Sequence, residues 1–315
     1  MLARLLRLTY LVQLVVGGLI GSWAAVELAP RWGWSALTLV PLLALAWVIF
    51  WQALIIGSSM LLSRRAGPLL PWLRAAWGEL MAALLIFGLR QPWAHLNPGV
   101  LHATHATKPG DTPVPVLLVH GFVCNHRVWD GVAQALRQRG HSVLALDLEP
   151  LFTSIDDYAP LIEQAVTRLC QATHTDQVAL VGHSMGGLVI RAWLRAHGNA
   201  RAAQVITLGT PHHGTQAPQW VSTPNGRQMA WHSAWLTDLA RSETTASRPR
   251  TSLAITSHDN VVFPQREQTL EGARMTEFSG IGHLQMCLDA GVLRWLLQEL
   301  ESNPCPDTRA PSPRL

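Results

Sequence analysis

Lysine is nearly missing from this chain. Of 315 residues only Lys108 is a lysine, so the formal net charge of +4 rests on arginine. The arginines are scattered rather than gathered into a patch, which excludes the electrostatic footprint of a nucleic-acid binder. Charge of either sign is scarce: charged residues make up 14% of the chain against 49% hydrophobic, a poor balance for a freely soluble protein. Cysteine is also rare. Cys124, Cys170, Cys287 and Cys305 show neither a C-x-x-C pair nor any regular spacing, which excludes a patterned zinc site or disulfide framework and predicts free thiols. There is no internal repeat.

What is plentiful is apolar sequence, and it is concentrated in the first ninety residues. An uncharged run lies between Arg7 and Glu27, and a longer one between Arg31 and Arg64. Each is long enough to cross a bilayer as a helix. A cleaved signal peptide is the alternative for the first, but a second apolar run follows at once and a small-residue cleavage signal is unconvincing. Spans at about 8–29 and 36–60 are expected. Arg4 and Arg7 precede this hairpin and Arg64 and Arg65 follow it, so the positive-inside rule puts both of its ends in the cytoplasm.

The segment at about 70–90 decides on which side the rest of the chain lies. Arg74 and Glu79 interrupt it, and Glu79 near the bilayer centre would cost on the order of 2–3 kcal/mol. Trp72, Trp77 and Trp93 suit the headgroup region. An interfacial helix is favoured, with a third span as the alternative. Residues 1–98 thus read as a membrane anchor and 99–114, polar and turn-rich, as a linker. The interfacial reading leaves the remaining domain cytoplasmic; the third span would make it periplasmic.

From residue 115 to 301 short apolar runs alternate with helical patterns. PVLLVHG, HSVLALDL, QVALVGHS, AAQVITLGTP, TSLAITSHD and ARMTEFSG read as strands. Strands apolar on both faces, alternating with helices, imply an α/β domain with a mostly parallel sheet of about six strands covered by helices. Residues 302–315 read as a disordered tail.

One turn carries chemistry. Gly182-His183-Ser184-Met185-Gly186 is a G-x-S-x-G sequence between a strand and a helix. Gly182 and Gly186 permit a turn tight enough to project Ser184 at the sheet edge. A serine needs a base, and the base an orienting acid. In the chain order serine, acid, histidine, Asp259 comes directly after the strand run TSLAITSH and His283 precedes the closing helix. His183 reads as a packing residue, and His212 and His213 as candidates for the cleft wall. Two backbone N–H groups should form an oxyanion hole, from Met185 and from the loop after the first domain strand at Phe122.

Together VHGF (119–122), GHSMGG (182–187), TLGTPHHGT (207–215), SHDNVVFP (257–264) and SGIGHLQM (279–286) resemble the α/β-hydrolase superfamily, and within it bacterial lipases and esterases. The resemblance implies an α/β-hydrolase fold and a serine hydrolase of carboxylic esters, working through an acyl-enzyme with no metal or organic cofactor. Its substrate would be an ester or lipid at a bacterial inner membrane. The chain departs from the family in having two apolar spans ahead of the domain and no room for the family's first two strands. A thioesterase, amidase or acyltransferase, or a non-enzymatic membrane scaffold, are the alternatives. Residues 214–250 exceed an ordinary crossover and contain Trp220, Trp231 and Trp235. They read either as a lid or as a helix packed on the domain surface.

Overall fold

The computed structural model describes residues 1–95, 97–104, 113–217, 222–243 and 248–302. The tail after Ser302, Cys305, Lys108 and half of the expected linker (105–112) fall outside these residues. Two long helices open the chain, α1 (Leu2–Trp32) and α2 (Ala36–Leu62). Their contact is made close by small residues. A Cβ on Gly17 would lie 2.9 Å from Trp47 Cβ, and one on Gly21 would lie 3.0 Å from Leu43 Cβ. Spacing two glycines four apart lets helix backbones approach in an apolar setting. Gln52 adds a hydrogen bond to Tyr10 Oη at 3.0 Å.

Helix α3 (Leu69–Ala83) continues through a wider turn at Leu84–Arg90 and a tight one at Gln91–Trp93. Leu2–Arg31, Ala36–Leu62 and Leu69–Trp93 are each long and apolar enough to cross a membrane. The third differs from the others in what it buries. Ala75, Glu79, Ala82, Ala83 and Ile86 are buried, while Leu70, Trp77 and Leu89 on the other face are exposed.

The sheet domain follows. Its strands are β1 (Val100–Leu101), β2 (Val116–Val119), β3 (Val143–Leu146), β4 (Val178–His183), β5 (Ala202–Leu208), β6 (Thr251–Thr256) and β7 (Arg274–Phe278). They lie in the order β1-β3-β2-β4-β5-β6-β7. β2 to β7 are parallel, as the six apolar runs predict, and β1 joins antiparallel to β3. β1 falls at the start of the stretch read as a linker. At two residues it is too short to leave a periodicity in the sequence.

Helices cover both faces. On one, α4 (Asp130–Gln138) and α9 (Ala290–Glu301) share a core with Ala82, Ala83 and Ile86 of the α3 segment. On the other lie α5 (Ala159–Thr173) and α6 (Met185–His197), with Leu236 reaching in beside them. β4 is buried at all six positions. Each fully buried Val or Leu side chain there contributes about 1.5–3 kcal/mol relative to exposure. Local signals start the helices: Asp289 accepts hydrogen bonds from the amides of Gly291 and Val292, and Ser154 with Asp157 forms a capping box before α5.

Candidate active site

Ser184 ends β4 and begins α6. Its backbone adopts φ 56° and ψ −128°, a conformation costing a non-glycine residue on the order of 1–3 kcal/mol unless its surroundings enforce it. Here they do. Ser184 N donates to Leu208 O at 2.8 Å, and Gly187 N donates to Ser184 O at 3.1 Å. A Cβ on Gly186 would lie 2.2 Å from Val119 O, and one on Gly182 would lie 2.6 Å from Gly187 N. Those are backbone atoms of the sheet and elbow and cannot move aside.

Asp259 and His283 meet on the same rim. His283 Nδ1 lies 2.8 Å from Asp259 Oδ2. The other oxygen, Oδ1, accepts from Val261 N at 2.9 Å and Val262 N at 2.7 Å. The carboxylate is thus held as an acceptor on both atoms, which assigns the imidazole proton to Nδ1 and leaves Nε2 as the basic nitrogen. Burial pulls the His283 imidazole down, but the Asp259 carboxylate, by charge and hydrogen bond, and the Glu79 carboxylate more than offset this. The group rests above the ordinary histidine value.

The serine lies against the same structure. Leu208, which accepts from Ser184 N, is followed by Gly209; a Cβ there would stand 3.1 Å from His283 Nδ1 and 3.2 Å from Asp259 Oδ2. The ring of His183, next to the serine, lies 4.7 Å from that of His283, and its Nε2–H donates to His283 O at 3.1 Å. Among the described residues the hydrogen bonds of His283 run to Asp259, Asn260 and His183, and none to Ser184. A nucleophile–base contact commonly tightens only once substrate is bound.

Phe122 and Met185 line one narrow cavity, together with His120, Gly121, Phe152 and Tyr158. Met185 is the first residue of α6, where an N–H has no partner within the helix. The loop bearing Phe122 presses on the serine, since a Cβ on Gly121 would lie 2.7 Å from Ser184 Cβ. His120 fixes this loop: Nδ1 bonds Gly121 O at 2.8 Å and Nε2 accepts from Leu148 N at 3.0 Å. Asp147 holds the far end, accepting from His126 N at 2.7 Å and His126 Nδ1 at 2.9 Å.

His212 and His213 are engaged elsewhere. His212 is buried with Nε2 3.0 Å from Thr207 Oγ1, and its carbonyl accepts from Arg191 at 3.1 Å. Burial and the Arg191 charge hold it neutral, well below the usual range. His213 bonds Thr269 O. The buried free thiols do not compete as nucleophiles: burial pushes Cys124 up to about 12 and Cys287 well above its ordinary value.

Sequence reasoning missed three polar residues around this cluster. Glu79 accepts from Leu284 N and Gln285 N, both at 2.9 Å. Asn260 Oδ1 accepts from His283 N at 3.2 Å. Gln265 Nε2 donates to Asp259 O at 2.9 Å. The available signal was Glu79 itself, since an ionisable residue in an apolar segment implies a specific partner.

A model of the alpha/beta hydrolase family matches residues 116–307, more than half of the chain. The chain belongs to the alpha/beta hydrolase family. A triacylglycerol lipase of Pseudarthrobacter phenanthrenivorans is 34% identical over 119 residues, covering 35% of this chain and 37% of that protein. A triacylglycerol lipase of Burkholderia plantarii is likewise 34% identical over 119 residues, with 35% and 33% covered. The match thus spans about a third of the length of these relatives. Among solved structures, the mature form of a Bacillus licheniformis lipase superposes with a TM-score of 0.54 at 17% identity, over 64% of this chain and 97% of that one. Aspergillus fumigatus lipase B gives 0.53 at 14% identity, over 66% and 57%. At such identities the likeness is one of fold.

The described part of residues 214–250 forms two short helices, α7 (Pro224–Gln228) and α8 (Ala234–Arg241). Both are pinned. Gln228 bonds Ser154 and Ile155, Trp235 Nε1 donates to Asp156 at 2.7 Å, and Leu236 and Leu239 are buried. Asn225 of α7 also reaches the cavity shared by Phe122 and Met185. Among the described residues no group of three or more His, Cys, Asp or Glu is arranged to hold a metal ion.

Proposed function

We propose that this hydrolase is a membrane-anchored serine hydrolase of carboxylic esters, of lipase or esterase type. Ser184 is the nucleophile, His283 the general base and Asp259 the acid that orients it. The observation that carries the reading is the 2.8 Å Asp259–His283 pair on the rim where the strained elbow presents Ser184. Nε2 of His283 takes the serine proton as Oγ attacks the ester carbonyl. The tetrahedral oxyanion is met by the N–H groups of Phe122 and Met185. Collapse expels the alcohol, protonated by His283, and leaves an acyl-enzyme that water hydrolyses by the same route. The lipase relatives support an ester substrate, and the apolar lining of Phe122, Leu151 and Phe152 supports an acyl chain.

In this reading α1 and α2 cross the bilayer as a hairpin and α3 lies flat beneath the domain. Leu8, Leu19, Trp23 and Leu37 point outward from the hairpin, as lipid-facing residues would. The start of α1 meets Glu149, and the end of α2 meets the Asp259 loop. Both ends therefore abut the domain, on the side of Arg4, Arg7, Arg64 and Arg65, which favours the cytoplasmic face. The exposed Leu70 and Trp77 of α3, with Leu89 of the turn after it, would rest on the membrane while the other face packs under the sheet.

A fluorophosphonate probe tests the chemistry. The wild-type chain should be labelled and Ser184→Ala should not. An unlabelled, folded wild-type chain would overturn the reading in favour of a scaffold. Hydrolysis of p-nitrophenyl esters of graded chain length then distinguishes lipase from short-chain esterase.

A further inference from the structure

The turn that presents His283 is held from outside the sheet domain. Three successive amides are involved. His283 N donates to Asn260 Oδ1 at 3.2 Å, Leu284 N to Glu79 Oε1 at 2.9 Å, and Gln285 N to Glu79 Oε2 at 2.9 Å. Glu79 belongs to α3 and is 2% exposed, so both carboxylate oxygens are committed to this turn. The fit is tight, since a Cβ on Gly282 would lie 2.5 Å from Glu79 Oε2. Asn260 is itself anchored on α2, its Nδ2 donating to Ser59 Oγ at 2.9 Å. The loop of the acid is tied to the same helix, because Gln265 Nε2 bridges Ser63 O at 3.1 Å and Asp259 O at 2.9 Å. The base and the acid thus each hang from an apolar N-terminal helix, more than 180 residues away in the chain.

An anchor that only tethers a domain needs no such bonds. A buried carboxylate is costly unless its acceptors are satisfied, and here the donors that satisfy it come from the two residues after the histidine. We propose that Glu79 is a positioning residue for His283, so that α3, seated under the sheet by the apolar N-terminal region, completes the hydrolase active site. The inference rests on the assignment of Ser184, Asp259 and His283. Glu79 acts in two ways. It fixes the backbone from which the imidazole projects, and its charge adds to that of Asp259 in favouring the imidazolium that forms when Ser184 loses its proton. Facing the same space are Asp259, His283 and the thiols of Cys124 and Cys287, with His183 behind the imidazole. Burial keeps both thiols protonated and His183 neutral. Burial also raises the Glu79 carboxyl above its ordinary value, but His283 and the amides of Leu284 and Gln285 favour its charged form, so Glu79 and Asp259 supply the negative charge beside His283.

The full chain, purified in detergent, is assayed with a soluble p-nitrophenyl ester and with the fluorophosphonate probe. Glu79→Gln should lower kcat by about ten- to a hundred-fold with KM within about two-fold, as expected for a misplaced base rather than a lost binding contact. Its kcat/KM should also gain activity at lower pH than wild type, because a negative charge beside His283 is gone. Glu79→Asp, which retains the charge, should keep the wild-type pH limb. Labelling of Glu79→Gln at the wild-type rate with an unchanged pH limb overturns the proposal while leaving the hydrolase assignment intact. A wild-type chain that never labels removes both. Should Glu79→Gln fail to fold, Glu79→Asp carries the test, because the shorter side chain draws the carboxylate away from the amides of Leu284 and Gln285. It should slow labelling several-fold, and a wild-type rate there overturns the proposal.

Discussion

Nδ1 of His283 and Oδ2 of Asp259 stand 2.8 Å apart with both side chains buried, although β7 and two loops separate them in the chain. That contact fixes the ring tautomer and raises the basicity of the nitrogen left for Ser184.

Asp259→Asn therefore tests orientation apart from packing. The amide is isosteric but can donate to Nδ1, which selects the wrong tautomer. Esterase kcat should fall on the order of a thousand- to ten-thousand-fold while the melting transition hardly moves. An asparagine variant within ten-fold of wild type would remove Asp259 from the machinery.

The pH dependence follows with its sign. In the proposed mechanism His283 is a base only when neutral, and its neighbours hold it above the ordinary value of 6.5. Wild-type kcat/KM should thus rise with pH through a midpoint above 6.5. A midpoint below that value would mean that Asp259 and Glu79 do not dominate over burial.

Stability should respond oppositely at two glycines. Gly186→Ala drives a methyl group to within 2.2 Å of Val119 O and should cost about 2–3 kcal/mol or more. Gly131→Ala, at an exposed position of α4 where an added Cβ meets nothing within 4 Å, should gain about 0.5–1 kcal/mol. Thermal melts of the two variants in one detergent check the contrast.

Away from the site, Glu243 pairs with buried Arg191 at 2.8 Å and with Arg248 at 2.9 Å. Glu243→Ala leaves those guanidinium groups uncompensated and should destabilise the domain by about 3–5 kcal/mol. A melting shift too small to resolve would show that solvent reaches Arg191.

The sheet was legible in the sequence because its inner parallel strands are apolar on both faces; β7, at the border and largely exposed, was marked only by the short run ARMTEFSG. Ser184, Asp259 and His283 could be picked out because each follows a strand end closely, so the topology fixes which edge it occupies. β1 was not legible, for two residues carry no periodicity. Nor was the role of Glu79. Sequence treats a carboxylate in an apolar helix as a cost, and only the fold supplies the amides of Leu284 and Gln285 that receive it. His212, expected at the cleft, instead turns toward Thr207 and Arg191, a choice made by a buried ion pair that no local pattern announces.

At the far border of the sheet, β7 ends the hydrogen-bonded ladder with one side open. Two of its five residues are Arg274 and Glu277, engaged by Glu299 and Arg266 respectively. Charges along such a border discourage a neighbouring copy from adding its own strand. In the proposed membrane-anchored arrangement, where copies meet often in two dimensions, that guard keeps crowding from becoming aggregation.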